Sequence, residues 1–149
     1  MNIRQAEIND IESLIELYMH HLTQFPPREA QHLELWIEKF TQIIKNKDYH
    51  ILLGEINGQI VGSVTLIIIP NLTHNLRSYA IVENVVTHSD YRRKGYASRL
   101  LEKADEIAQK ERCYKIMLMT GSKKDETLNF YRKNGYNSDD KTGFIKRFL

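Results

Sequence analysis

The segment "YHILLGEINGQIVGSVTLIII", residues 49–69, constrains the fold more than any other part of the chain. Two apolar runs flank Asn57-Gly58, the strongest short signal for a two-residue hairpin turn, because both residues tolerate positive φ. A long antiparallel pair follows, and Pro70 ends its second strand. A short strand at "NIRQA" precedes it, and then a helix through "NDIESLIELYMHHLTQF". In that helix Ile11, Leu14, Ile15, Tyr18 and Leu22 share a face, with Asn9 or Asp10 as N-cap. "FPPREAQ" breaks the helix, and Leu33, Trp36, Ile37, Phe40 and Ile44 line the face of a second one. Beyond the hairpin, "NLTHNLRS" is a loop and "YAIVENVVTH" a strand rich in β-branched residues. Helical spacing returns from Gly95 to Arg112, through Ala97, Leu100, Leu101, Ala104, Ile107 and Ala108. "YKIMLMT" is a short strand, "KDETLNFYRKN" a helix with Gly135 as C-cap, and "FIKRFL" a closing strand. The order β-α-α-β-β-β-α-β-α-β places the chain in the α/β class, with one central mixed sheet of α+β character flanked by helices. No repeat, linker or low-complexity segment interrupts residues 1–149, so a single domain is expected.

Composition narrows the partners. The net charge of +2 lacks the basic excess of a general nucleic-acid binder. One cysteine, Cys113, leaves no internal disulfide and no cysteine-based zinc site. The longest apolar stretch, "IVGSVTLIII", is strand-length rather than membrane-spanning. "MNIRQAEIND" has no apolar signal region. These features predict a cytoplasmic protein with neither nucleic acid nor membrane among its partners. His20 and His21 are adjacent on one helix and do not converge on a metal, so no metal site is expected.

The chemistry concentrates in "YRRKGYAS", residues 91–98, where a strand-like run gives way to a helix-like one. A helix start leaves backbone N–H groups without partners and carries partial positive charge, and both favour an anion. Gly95 removes a Cβ, so a ligand can approach the backbone closely. Ala97 keeps the next position small, while Arg92, Arg93 and Lys94 add charge. Such a site suits a diphosphate. The stricter phosphate-loop spellings, G-x-x-x-x-G-K-[ST] and G-x-G-x-x-G, are absent.

Arg92-x-x-Gly95-x-Ala97, between a strand and a helix, resembles the [QR]-x-x-G-x-[GA] motif of the GCN5-related N-acetyltransferase (GNAT) family. "ENVVTHSDYRRKGYASRLL" is similar to that family's fourth strand, loop and third helix, and "LNFYRKNGY" to its F-Y-x-x-x-G-[FY] segment. The resemblance implies the acyl-CoA N-acyltransferase fold and acetyl-CoA as co-substrate. Val85 and Val86 match the strand positions whose backbone pairs with the pantetheine arm, lying in a gap between splayed strands like an added strand. Arg92, Arg93, Lys94, Gly95, Tyr96, Ala97 and Ser98 match the pyrophosphate loop. Tyr131 matches the tyrosine that protonates the leaving thiolate, with Asn129 and Phe130 beside it. One departure is visible: many relatives carry an asparagine seven positions before that tyrosine, and here Lys124 stands there, with Ser122 close by.

Amine acetylation needs a neutral amine, hence a base. Glu83 resembles the acidic position some relatives use, and alternation by two predicts that its side chain shares a face with Val85. It is read either as base or as a carboxylate that binds the amine. His88, at the strand's end, is a second proton relay in principle. A backbone N–H near Val85 or Val86 is placed to polarise the thioester oxygen. "HHLTQFPPREAQH" and "IPNLTHNLRSYA" are the expected walls of the acceptor pocket, with Arg77 and Tyr79 close to the active strand. The leading expectation is an N-acetyltransferase acting on a primary amine of a small molecule by direct attack on the thioester. The alternatives are a protein lysine or N-terminal amine as acceptor, or a non-catalytic acyl-CoA-binding regulatory module. A homodimer is left open.

Overall fold

The computed structural model describes residues 1–22 and 32–148. Its strands are β1 (Asn2–Gln5), β2 (Tyr49–Ile56), β3 (Gln59–Ile69), β4 (Tyr79–Thr87) and β5 (Ile116–Leu118). Its α-helices are α1 (Ile11–Leu17), α2 (Leu33–Lys45), α3 (Tyr96–Lys110) and α4 (Asp125–Lys133). A turn of π-helix, Tyr18–Leu22, continues α1. The five strands lie in chain order: β1 through β4 pair antiparallel and β5 joins β4 in parallel. This is the mixed sheet the periodicity predicts. Asn57 and Gly58 turn the hairpin with φ of 49° and 79°, the pair of positive values that a type I′ turn requires.

Each face of the sheet has its own core. On one, Leu52, Val64, Leu66, Ile68, Ala80 and Val82 pack against Leu100, Leu101, Ala104 and Ala108 of α3, with Phe130 and Tyr131 of α4 at the margin. On the other, Ile51, Leu53 and Val86 pack against Ile11, Leu14 and Leu17 of α1 and Phe40 of α2. Leu100 and Leu101 are both 1% exposed, and burying a leucine side chain stabilises by about 1.5–3 kcal/mol. That contact anchors α3 to the sheet and fixes where its N-terminus points.

Asp10, just before α1, does not act as a simple cap. Its carboxylate takes two hydrogen bonds from the Arg4 guanidinium, at 2.7 and 2.8 Å, and one from the Glu7 N–H at 2.7 Å. Arg4 also donates to Glu55 at 2.9 Å. These contacts join β1, α1 and β2.

Two expectations require correction or fall outside the described residues. The closing strand "FIKRFL" does not form: residues 141–148 pair with no strand, and Phe144 and Phe148 stand 91% and 85% exposed. Its apolar residues, at 144, 145, 148 and 149, do not alternate, and Lys146 and Arg147 interrupt them, so no single face can be buried. The end of the first predicted helix and most of "HHLTQFPPREAQH" fall in residues 23–31, outside the described residues.

Candidate active site

The site begins with an irregularity in β4. Thr65 pairs with Glu83 and Ser63 with Val86, so β4 spends three steps where β3 spends two. Asn84 carries the extra residue, with φ of 51°. This is a β-bulge, and it reverses the alternation of side chains beyond it. Val82 and Val85 therefore both face α3, whereas Val86 lies in the core under α1. Glu83 shares the α1–α2 face with its cross-strand partner Thr65, and its charge reaches Tyr49 there. The expectation that Glu83 and Val85 share a face is thus corrected, and the bulge is the physical reason.

Beyond the bulge, β4 loses its neighbour. Parallel pairing with β5 stops at Val82 opposite Leu118, while β4 runs on to Thr87. The His88 N–H donates to the Val61 carbonyl at 2.8 Å. Alternation then directs the Val86 amide toward β3 and those of Val85 and Thr87 toward the open edge. Of the two valines singled out in the sequence, Val85 offers a free backbone donor and Val86 contributes core packing. An extended, amide-bearing arm can pair with such an edge as an added strand.

That edge leads into the start of α3. A short 3-10 turn, Ser89–Tyr91, follows β4. Arg93 and Gly95 then take left-handed φ of 61° and 80°, a backbone pattern of the kind that forms anion-holding concavities. The first helical bond is Arg99 N–H to Gly95 C=O at 3.2 Å. The amides of residues 93–98 have no backbone acceptor among the described residues, so they are available to an anion at the positive end of a 15-residue helix. A Cβ on Gly95 would meet nothing within 4 Å. The direction a side chain would take is open, and φ alone explains why glycine sits there in the free protein.

The three cations divide their roles. Arg92 turns inward, donating from Nε to the Thr87 carbonyl and from Nη2 to the His21 carbonyl, each at 3.1 Å. Arg93 reaches Glu126 of α4 at 3.3 Å, an exposed ion pair worth little by itself. The Lys94 ammonium lies over the Tyr91 ring, 5.3 Å from its centroid. The loop's charge therefore frames the amides, and two of the Arg92 donor nitrogens are held by protein carbonyls.

Tyr131 projects from α4 toward the same core as Val85. α4 ends in a Schellman motif: Tyr136 N–H donates to the Tyr131 carbonyl at 3.1 Å and Gly135 N–H to the Arg132 carbonyl at 3.0 Å. Gly135 lies one residue past the cap, at φ 89°. The motif sets the Tyr131 and Tyr136 rings edge to face, 6.2 Å apart, and Phe130 packs at 5.0 Å on Tyr131. Burial pushes the Tyr131 phenol above its ordinary value, so it stays protonated and able to donate at neutral pH. Lys124 occupies the N-cap of α4, and its N–H is held by the Ser122 hydroxyl at 3.3 Å.

On the acceptor side, Arg77 donates to the carbonyls of Arg112 and Cys113 at 3.1 and 3.0 Å. It closes the C-terminal end of α3, about 22 Å from the phosphate end by helix rise. Tyr79 lies at the same far end, under the Lys115 ammonium. Neither reaches the bulge. His88 stacks on His21, with ring centroids 4.0 Å apart. Among the described residues no three potential metal ligands converge.

A hydroxyl cluster beneath the bulge escaped the sequence reading. Ser63 and Thr65 are 0% and 1% exposed on the α1–α2 face of β3. The Tyr18 hydroxyl is buried beside them, and neither it nor the Ser63 hydroxyl has a direct hydrogen-bond partner among the described residues. Burial raises the Tyr18 phenol, while the neighbouring hydroxyls oppose that shift. The signal was present: two hydroxyl residues two apart inside an otherwise apolar strand mark a polar stripe on one face.

A mixed sheet whose β4–β5 pairing ends at Val82, a free strand edge beyond it and a helix start with unbonded amides together leave room for an extended, amide-bearing ligand that carries a diphosphate. The comparisons agree. Residues 11–136 match the family described as "Acetyltransferase (GNAT) family". A glucosamine 6-phosphate N-acetyltransferase of Trypanosoma brucei brucei is 30% identical over 143 residues, covering 95% of this chain and 92% of the relative. A second, from Dictyostelium discoideum, is 24% identical over 89% of this chain and 82% of its own. Among solved structures, a putative acetyltransferase from Agrobacterium tumefaciens superposes with a TM-score of 0.91 at 34% identity, over 99% of this chain and all of that one. The chain belongs to the GNAT family and is an N-acetyltransferase. Its family uses acetyl-CoA as co-substrate, and the free amides at residues 93–98 and the open β4 edge fit that molecule's diphosphate and arm.

Proposed function

We propose that this chain transfers the acetyl group of acetyl-CoA to a primary amine of a small molecule, by direct attack of the amine on the thioester. The observation that carries the reading is the continuous run from the unpaired β4 edge at Val85 into the free amides of residues 93–98. Bound there, acetyl-CoA supplies an acyl group already activated as a thioester. The amides of residues 93–98 hold the diphosphate, with Arg93 and Lys94 adding charge at the rim. The Val85 N–H pairs with the arm or polarises the carbonyl oxygen. Tyr131 keeps its phenolic proton for the departing sulfur. Glu83, on the opposite face of β4, receives the amine as a cation and takes up its proton, directly or through the hydroxyls of Thr65, Ser63 and Tyr18.

A small acceptor is supported by the two relatives whose names specify an amino-sugar phosphate, which makes glucosamine 6-phosphate the first compound to try. The test is acetyl-CoA turnover over a panel of small amines, amino-sugar phosphates and peptide N-termini, followed by thiol release. Release with a small amine and not with peptides is expected. In that assay Glu83→Gln should lower kcat by roughly 10²–10⁴-fold if Glu83 is the base. A rise confined to KM would make Glu83 an amine-binding group. Binding of acetyl-CoA with no turnover on any acceptor would refute the reading in favour of a regulatory module.

A further inference from the structure

The loop that precedes the free amides is tied to the end of the first helix by two histidines. Ser89 N–H donates to His21 Nδ1 at 3.2 Å, and Asp90 N–H donates to His88 Nδ1 at 3.2 Å. The two rings lie 4.0 Å apart, tilted by 33°. Tyr91 meets His88 edge to face at 5.6 Å. Arg92 completes the tie by donating to the His21 and Thr87 carbonyls. Every one of these contacts ends on residues 87–92, immediately before the backbone that turns into α3.

An N–H can donate to a ring nitrogen only where that nitrogen carries a lone pair. Both imidazoles accept at Nδ1, which puts the ring proton on Nε2. A second proton on His21 would set N–H against N–H at Ser89 and would place a cation beside Arg92. We propose that His21, with the His88 ring stacked on it, is a positioning residue for the diphosphate loop, gripping it through its Nδ1 acceptor only while neutral, so that acidification releases the loop and weakens acetyl-CoA binding. The proposal rests on the assignment of residues 93–98 to the diphosphate.

The charged groups around the pair act in a consistent direction. Among the described residues, His21 faces His88 and Arg92 from the loop side and His20 from its own helix, and only Asp90 opposes them. Burial first, and then His88, Arg92 and His20, hold the His21 imidazole below the ordinary histidine value. A histidine depressed in the folded state stabilises it above the ordinary value, and that contribution is lost as the pH falls through the lowered one. His20 has its own partner, Glu16, at 3.5 Å. The Asp90 carboxylate lies 4.0 Å from His88 Nδ1.

The experiment is the dissociation constant of acetyl-CoA by calorimetry across the acid range, for the wild type, His21→Gln and His88→Gln. Glutamine keeps an acceptor oxygen but does not titrate. The ligand's own phosphates titrate alike with all three proteins, so the difference between curves isolates the histidines. From about pH 8 to about pH 5.5 the wild type should lose roughly threefold to tenfold more affinity than His21→Gln. In parallel, imidazole nitrogen shifts of the wild type at the upper pH should show His21 and His88 protonated on Nε2 alone, a readout that needs no variant to fold. Parallel curves for the wild type and His21→Gln, or a protonated Nδ1 on His21, would overturn the proposal while leaving the diphosphate assignment standing. No binding by the wild type even at the upper pH would overturn both.

Discussion

Gly95 separates two physical reasons for a glycine, and a short substitution series can tell them apart. Its φ of 80° lies in the left-handed region, which costs an ordinary L-residue about 1–2 kcal/mol. No neighbour lies within 4 Å of where its Cβ would be, so strain is the whole cost in the free protein. Gly95→Ala should therefore lower Tm by roughly 2–8 °C for a chain of this size. Gly95→Asn should recover most of that, because asparagine tolerates the left-handed region. Affinity for acetyl-CoA should follow a different order. In the proposed reading a diphosphate approaches the amides of residues 93–98 through the open space beside Gly95, so any side chain there obstructs it. Asparagine, stable as it is, should then bind acetyl-CoA no better than alanine, with both weaker than wild type by roughly tenfold or more, a loss of about 1.4 kcal/mol. Thermal unfolding gives the first ranking and calorimetry the second. If Gly95→Asn bound acetyl-CoA as tightly as wild type, the space beside Gly95 would not be the phosphate site. The glycine would then answer to φ alone.

Tyr131→Phe keeps the ring against Phe130 and Tyr136 but deletes the hydroxyl; kcat should fall by roughly 10²–10⁴-fold with Tm and acetyl-CoA affinity nearly unchanged. Unchanged turnover with a chemistry-limited acceptor would remove Tyr131 from the mechanism. The Arg4 hydrogen bonds hold the Asp10 carboxyl below its ordinary range, with the Glu7 N–H assisting and burial opposing. Asp10 therefore adds stability that is present above the ordinary carboxylate value and is lost as the pH falls through the lowered one. Asp10→Asn should cost about 1–3 kcal/mol near neutrality and flatten the acid limb of urea unfolding; acid limbs of equal slope in the two proteins would contradict this.

The elements that were legible in the sequence are those whose physics is local. Asn57-Gly58 specifies its turn by backbone conformation alone, and the stripe from Ala97 to Ala108 specifies the buried face of α3. The helix start at Gly95 was legible for the same reason, since a glycine and a small residue are neighbours along the chain. What the sequence concealed depends on contacts across it. The bulge at Asn84 leaves no mark on the period of "YAIVENVVTH", because one extra polar residue reads as one more exposed position, and so Glu83 was placed on the wrong face. Arg92 reads as a phosphate ligand by charge, but its guanidinium finds carbonyls at Thr87 and at His21, the latter 71 residues away. Nothing in the sequence joins His21, on the first helix, to His88, at a strand's end, until the fold stacks them. "FIKRFL" resembles a strand in composition but lacks the alternation that would bury one face.

In the proposed mechanism the bulge also lets one strand serve two substrates. In a regular β4, Glu83 and Val85 would share a face, and the base would compete for space with the acyl carrier. The extra residue at Asn84 moves Val85 to the α3–α4 side with Tyr131, and leaves Glu83 with Thr65 on the α1–α2 side. It also puts the Val85 and Thr87 amides on the same edge as that of Ala80, whose N–H donates to the Lys115 carbonyl of the β5 side at 3.0 Å. The free edge past Val82 thus continues the ladder that β5 abandons at Leu118. In the proposed mechanism the acyl carrier takes the place of a missing strand, with its leaving group toward Tyr131, and the amine comes from the opposite face, where the Glu83 carboxylate lies. A thioester carbonyl held in the plane of the sheet is attacked from one face and sheds charge toward the other. Deleting one residue at the bulge would restore the regular alternation and put both partners on one side, so the bulge itself, more than any single side chain, sets the geometry of transfer.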